Sequence, residues 1–277
     1  MRHLFVIILS AVPLLISCGR DLASDAEASL NIKVGMDTPL TKVSPGTAAA
    51  GIVPVLWQQG DKISLNGSLS NALSASFSGG EDAVFSFAGV SASSPYNLLY
   101  PGSAAEDVNF AGSVIPMYAT GSDLSGVFTF HHLGTGVCVT LTGDLQVASL
   151  SLNAPGGENI AGVFALAKSA GAFNGNLTPS AATSSMTVDL ASPVDLSDGN
   201  PHSFYLFFAP GTFSEGLVIT AEDVSGVCRS WLFASGKTLT KGYVYQLPAT
   251  SFSSQDLADG AWCTLEDLTE ETMTFVL

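Results

Sequence analysis

Short runs in which apolar and polar residues alternate recur along most of the chain. Leu30-Asn-Ile-Lys-Val-Gly-Met36 puts Leu30, Ile32, Val34 and Met36 on one side, the two-residue period of a half-buried strand. Residues 37–54 read as loop, with Pro39, Pro45 and an alanine run. Ile63 and Leu65 alternate after a Gly60-Asp61 turn. Phe77 and then Val84-Phe85-Ser86-Phe87 predict strands around Gly79-Gly80. The run 96–100 is halted by Pro101, as at a strand end, and 114–119 is similar. A second series starts near Val127, with 128–133, the alternating 137–142, then Ala148, Leu150 and Leu152, and the fuller apolar run 160–166. Residues 167–185 read as rich in turns, and Met186-Thr-Val188-Asp-Leu190 returns to alternation. Residues 204–210 are apolar on both faces and predict a central strand. Leu217, Ile219 and Ala221 alternate before a hairpin turn at 221–226. Arg229, Trp231 and Phe233 then share a face, and Tyr243-Val-Tyr245-Gln-Leu247 closes the series.

Beyond the first 17 residues, no stretch holds a helical apolar period over three turns with caps. Short strands at roughly ten-residue spacing, joined by turn residues, predict an all-β fold of sandwich type. The chain has 277 residues, which suits two sandwiches better than one. The boundary is expected near residue 126, giving an N-terminal sandwich over 29–126 and a C-terminal one over 127–277. No long linker separates them, so direct packing is expected.

The start of the chain follows another pattern. Arg2 and His3 precede the apolar run 4–16, which would span roughly 20 Å as a helix against about 30 Å of hydrocarbon core. A basic start, a short apolar run broken by Pro13 and small residues at its end predict a secretory signal over residues 1–17. Its Leu15-Ile16-Ser17-Cys18 ending resembles a bacterial lipobox. That resemblance implies a thioether-linked diacylglycerol on Cys18 and cleavage just before it, so that lipid tethers the protein to a membrane. The small, polar residues of 18–28 then form a flexible tether.

Composition narrows the function. Apolar residues make up 47% and charged residues 12%, ample for a core. The formal charge of −15 repels nucleic acid phosphates and excludes nucleic acid as a partner. With Cys18 assigned to lipid, Cys138, Cys228 and Cys263 form an odd set with no C-x-x-C pair. One bridge or buried free thiols remain open, with free thiols favoured. His131-His132 would point to opposite faces of a strand and has no neighbour at ligand spacing. A nucleophile elbow, a phosphate loop and a dinucleotide fingerprint are absent. The carboxylate pairs Glu222-Asp223, Asp195/Asp198 and Glu270-Glu271 fall in turns or the tail, and 222–226 is too sparse in oxygen ligands for calcium. Trp57, Trp231 and Trp262 suit a core or strand edge better than a sugar-stacking platform. The reading is of a protein that is not an enzyme, with no cofactor and no metal.

Several pieces in order point to a family. They are Trp57-x-x-Gly60-Asp61-x-Ile63, Tyr100-Pro101, Pro116-Met117-Tyr118-Ala119, Phe128-x-Phe130-x-His132, residues 204–210, Gly216-Leu-Val-Ile219 and Gly242-Tyr-Val-Tyr245-x-Leu247. Together with the lipobox, the chain resembles the fimbrillin-like lipoproteins of Bacteroidales, the fimbrillin and minor-fimbrium subunit superfamily of type V pili. The resemblance implies two tandem transthyretin-like β-sandwich domains and export to the cell outer membrane. It also implies a structural or adhesive pilus subunit whose partners are other pilus subunits. In stalk subunits of that family a protease removes the N-terminal segment with its first strand, and a strand from another subunit fills the groove. Here residues 30–36 would be the removable strand, and Met273, Phe275 and Leu277, on one face of the last residues, the donor. Both are otherwise ordinary strands of a closed fold. No arginine lies between Arg20 and Arg229, so Lys42 is the candidate processing site, or the protein keeps its lipid as a base or accessory subunit. The alternative is a surface lipoprotein that does not polymerise and binds a glycan or host ligand.

Overall fold

The computed structural model describes residues 29–36, 44–45, 55–254, 263–264 and 272–273. Among them the chain is all-β, with no helix.

The first half is built on one seven-stranded sheet. Its order is Ser68–Leu69, Ser64–Leu65, Tyr96–Tyr100, Met117–Gly121, Val127–His132, Ser29–Met36 and Ala83–Ala88. Val127–His132 meets Met117–Gly121 over a short stretch, His131 opposite Tyr118 and His132 opposite Met117. Buried side chains from both ends nevertheless share one core. Ile32, Val34, Phe85, Phe87, Phe128 and Phe130 come from one end, and Leu65, Leu98, Tyr100, Met117 and Ala119 from the other. The sheet therefore folds over on itself about the Val127–His132 strand, which closes a two-layered half from a single hydrogen-bonded surface.

Two sheets face each other in the second half. One runs His202–Phe208, Thr135–Gly143, Val244–Gln246 and Thr272–Met273, with Thr250–Phe252 also paired to Thr135–Gly143. The other runs Ser185–Asp195, Gln146–Asn153, Leu217–Asp223, Cys228–Phe233 and Cys263–Thr264. Val137, Val139, Leu141, Leu206 and Phe208 from the first meet Leu150, Leu152, Ile219, Ala221 and Trp231 from the second in one core. This is the packing of a β-sandwich. Gly143 has φ +149°, and a Cβ there would lie 2.1 Å from the Phe252 carbonyl oxygen, so only glycine lets Thr250–Phe252 pack this close.

A fourth sheet bridges the halves. Asp107–Phe110, from the first half, pairs antiparallel with Ala161–Ser169, which in turn pairs with Ala172–Thr183. Leu99, Val108, Phe110, Leu133, Phe164, Leu166, Phe173 and Ala209 form the apolar cluster beneath it.

The alternation predicts most strands, and its failures have physical causes. Residues 167–185, expected to be turns, contain the long strand Ala172–Thr183. It is an edge strand whose outer half is exposed on both faces, so small and polar residues erase the two-residue signature. Residues 204–210 were expected in a central strand, but His202–Phe208 lies at the end of its sheet. Its free edge is covered at one point by the chain at Gly112, which bridges to Phe207 and accepts the Phe207 N–H at 2.8 Å. Phe77 lies in a turn, its N–H bonded to the Ser74 carbonyl, and only Ala83–Ala88 forms a strand there. A bulge between Val147 and Ser149 shifts the phase, so Val147 replaces Ala148 in the core beside Leu150 and Leu152. Val114 and Ile115 precede the Met117–Gly121 strand.

Candidate functional site

The first strand, expected from the sequence to be the exchangeable one, lies between two neighbours. Ser29–Met36 lies parallel to Val127–His132, with Lys33 opposite Val127 through Met36 opposite Phe130. On its other side it lies antiparallel to Ala83–Ala88, with Ser29 opposite Ala88 through Val34 opposite Ala83. Ile32 and Val34 are fully buried, and Leu30 packs against the same core. Lys33 points outward, where alternation requires, and its ladder neighbours Val84 and Val127 are 54% and 60% exposed. Gly35 leaves room for the Asp82 carboxylate, which would lie 3.0 Å from a Cβ.

Aromatic rings form the floor under this strand. Trp57 is fully buried and meets Phe85, Tyr100 and Phe130 edge-on, with centroids 5.1, 5.3 and 5.4 Å away. The Tyr100 hydroxyl donates to Asp61 Oδ1 at 3.2 Å, and the Gln58 N–H donates to Asp61 Oδ2 at 2.6 Å. Burial raises the Asp61 carboxyl from its ordinary value, against the pull of those two hydrogen bonds. Burial first, and then the Asp61 charge, push the Tyr100 phenol far up. The Trp57-x-x-Gly60-Asp61 piece is thus a structural bracket for the floor.

Above the sheet, a surface groove of about 540 Å³ runs between the Lys33, Val84 and Val127 row and the loop carrying Asn71, Leu73 and Phe77. That loop caps the outer edge of Ala83–Ala88, since the Asn71 N–H and side-chain amide donate to the Ser86 carbonyl and hydroxyl. Val84 and Val127 were missed at the level of sequence. They occupy outward positions of otherwise alternating strands, and an aliphatic residue there was the available clue.

Of the other candidate positions, Cys18, Lys42, Phe275 and Leu277 lie outside the described residues. The backbone of Thr272–Met273 pairs antiparallel with Val244–Gln246, Met273 opposite Val244, at the edge of the second half's sheet. The structure therefore places the first strand and the C-terminal strand in different sheets. Cys138 and Cys228 are free thiols, the first buried and the second exposed. Burial raises both, and Glu222 and Asp223 add to the rise at Cys228. His131 packs against the Tyr118 ring at 5.6 Å. Both ring nitrogens of His132 are shielded from solvent, and burial, with His131 adding to it, lowers its pKa to about 4. Among the described residues no group of three His, Cys, Asp or Glu side chains could hold a metal ion. The arrangement can grip an extended segment by backbone pairing and apolar burial.

No protein-family model matches the chain, and no curated protein does. Solved structures resemble it at low identity. One, from Bacteroides uniformis and provisionally assigned to cell adhesion, is 15% identical with a TM-score of 0.45, over 72% of this chain and 89% of that one. A second of the same provisional assignment, from Bacteroides ovatus, is 12% identical with a TM-score of 0.45, over 82% and 93%. The tip fimbrial protein Mfa3 of Porphyromonas gingivalis, with a C-terminal truncation, is 8% identical with a TM-score of 0.34, over 79% and 95%.

Proposed function

We propose that this chain is a structural or adhesive subunit of a fimbrillin-type (type V) pilus. In this reading it is exported as an outer-membrane lipoprotein lipidated at Cys18 and joins its neighbours by exchange of a β-strand. The observation that carries the reading is the setting of Ser29–Met36. The strand completes the first core from between two neighbours, yet lies upstream of all the other described strands. A cut after Lys42 would sever it from the rest of the chain. Its loss would uncover the sites of Ile32 and Val34, worth about 3–6 kcal/mol of apolar burial by side-chain transfer. A donor segment with apolar residues two apart fits that vacancy, and Met273, Phe275 and Leu277 have that spacing. The partners are then other subunits of the same surface polymer.

The alternative, a glycan-binding surface protein built on stacked aromatics, loses two of its three tryptophans. Trp57 and Trp231 are 0% and 1% exposed, each inside a core. Protease treatment of the purified chain, followed by electrophoresis without boiling, tests the proposal. A detergent-resistant ladder, lost on deletion of residues 273–277, supports it. A chain that stays monomeric after loss of its N-terminal segment contradicts it.

A further inference from the structure

The hairpin Ala161–Ser169 and Ala172–Thr183 belongs to the second half but reaches across the first. Its near strand extends the backbone ladder of Asp107–Phe110, from Gly162 opposite Phe110 to Ala165 opposite Asp107. Beside that ladder, Lys168 Nζ pairs with Glu106 Oε2 at 2.5 Å and stands 5.1 Å over the Phe173 ring. The tip turns through Ala170 and Gly171, at φ +49° and +84°, and seats Phe173 edge-on to Tyr118 of the first sheet, centroids 6.4 Å apart. Gly175, at φ +75°, leaves no space for a side chain, because a Cβ would lie 2.6 Å from the Tyr118 hydroxyl. The Lys241 ammonium donates to the Gly175 carbonyl at 3.1 Å from the far side.

Asn97 holds the tip in place. It is 3% exposed, on the outward face of Tyr96–Tyr100, where alternation would put a solvated residue. Its amide nitrogen donates to the Gly171 carbonyl at 2.9 Å. Its amide oxygen accepts the Phe173 N–H at 2.8 Å and the Thr120 hydroxyl at 3.3 Å. Its backbone N–H donates to Asn66 Oδ1 at 2.7 Å. A buried amide satisfied in this way admits one seating of the hairpin and penalises others, which leave its groups unpaired.

We propose that this hairpin is a strap that locks the two halves into one rigid body, with Asn97 as its latch. Ladder, apolar cluster and latch attach it at its base, middle and tip, so the angle between the halves is set by side chains from both. The inference stands independently of any strand exchange and holds for the single chain in solution.

The test is a pair of spin labels on the full chain, at Val84→Cys and Val224→Cys, with Cys18, Cys228 and Cys263 replaced by Ser. Both label sites are exposed and lie one in each half, and Cys138 is buried. A single narrow distance distribution in this parent is expected, and a broad or multiple one overturns the strap. Asn97→Ala should widen the distribution and speed hydrogen exchange at the Phe173 amide about tenfold or more. If both readouts are unchanged, Asn97 is no latch. Should Asn97→Ala not fold, Asn97→Asp, which drops the amide donor to Gly171, is read the same way.

Discussion

The two halves reach a closed core by different routes. In the second half, a hairpin joins Leu217–Asp223 to Cys228–Phe233, while Thr135–Gly143 pairs with the distant His202–Phe208 and lies parallel to Val244–Gln246 and Thr250–Phe252, so the core is drawn from strands between residues 135 and 252. In the first half, the core around Trp57 needs Ile32 and Val34, which arrive from far upstream on a strand parallel to Val127–His132. A parallel pairing cannot be made by a tight turn. The first strand is therefore held by its ladder and its buried side chains, and another segment of like pattern meets the same requirements. On the proposed reading, the same backbone chemistry gives one half a self-supplied core and the other a core with a replaceable member.

Truncating the central tryptophans should have the largest effect. Trp57→Ala and Trp231→Ala should each cost about 3–5 kcal/mol in denaturant unfolding. If the two values differ by more than this range, the cores are not comparable. The contrast sharpens with Ile32→Ala against Leu152→Ala, each about 2–5 kcal/mol. If the first strand alone can be supplied from outside, as proposed, an added peptide of sequence 29–36 should recover part of the first loss and none of the second.

Acidification comes next. His132 closes the strand between the halves, and its folded pKa of about 4 lies below the ordinary value of 6.5. The unfolded chain then binds more protons between these values, so the contribution is fully present above pH 6.5 and is lost as pH falls toward 4. Its size is about 3 kcal/mol. The stability difference between the wild type and His132→Gln, followed by urea unfolding at several pH values, should change across that window. A constant difference would remove His132 from the account. Tyr100→Phe, which drops one hydrogen bond to Asp61, should cost about 1 kcal/mol. Lys33→Ala, on the outer face of the first strand, should fall within about 0.5 kcal/mol.

Alternation carried the reading wherever one face of a strand is wet. Leu30, Ile32 and Val34, Phe85 and Phe87, and Leu217, Ile219 and Ala221 all bury the side expected of them. It failed where both faces share a character. Ala172–Thr183 is polar and small along its exposed half and reads as turns, while His202–Phe208 is apolar throughout and reads as central although it ends its sheet. The candidate strand was legible as a strand, but its parallel partner was not, since local pattern says nothing about which distant strand lies alongside. Asn97 was hidden for a related reason. A lone asparagine within Tyr-Asn-Leu-Leu-Tyr looks like an outward polar position, and only the crossing hairpin makes it buried.

The most direct measurement uses a chain that begins at residue 43 and keeps its own C-terminal residues, so that Val244–Gln246 retains its partner Thr272–Met273. The thermal unfolding of this shortened chain is followed with and without a synthetic peptide of residues 269–277. The account predicts a lowered midpoint that rises with peptide concentration, and no rise with a peptide in which Met273, Phe275 and Leu277 are replaced by Asp. A shortened chain as stable as the full one, or one that the native peptide leaves unchanged, would contradict it.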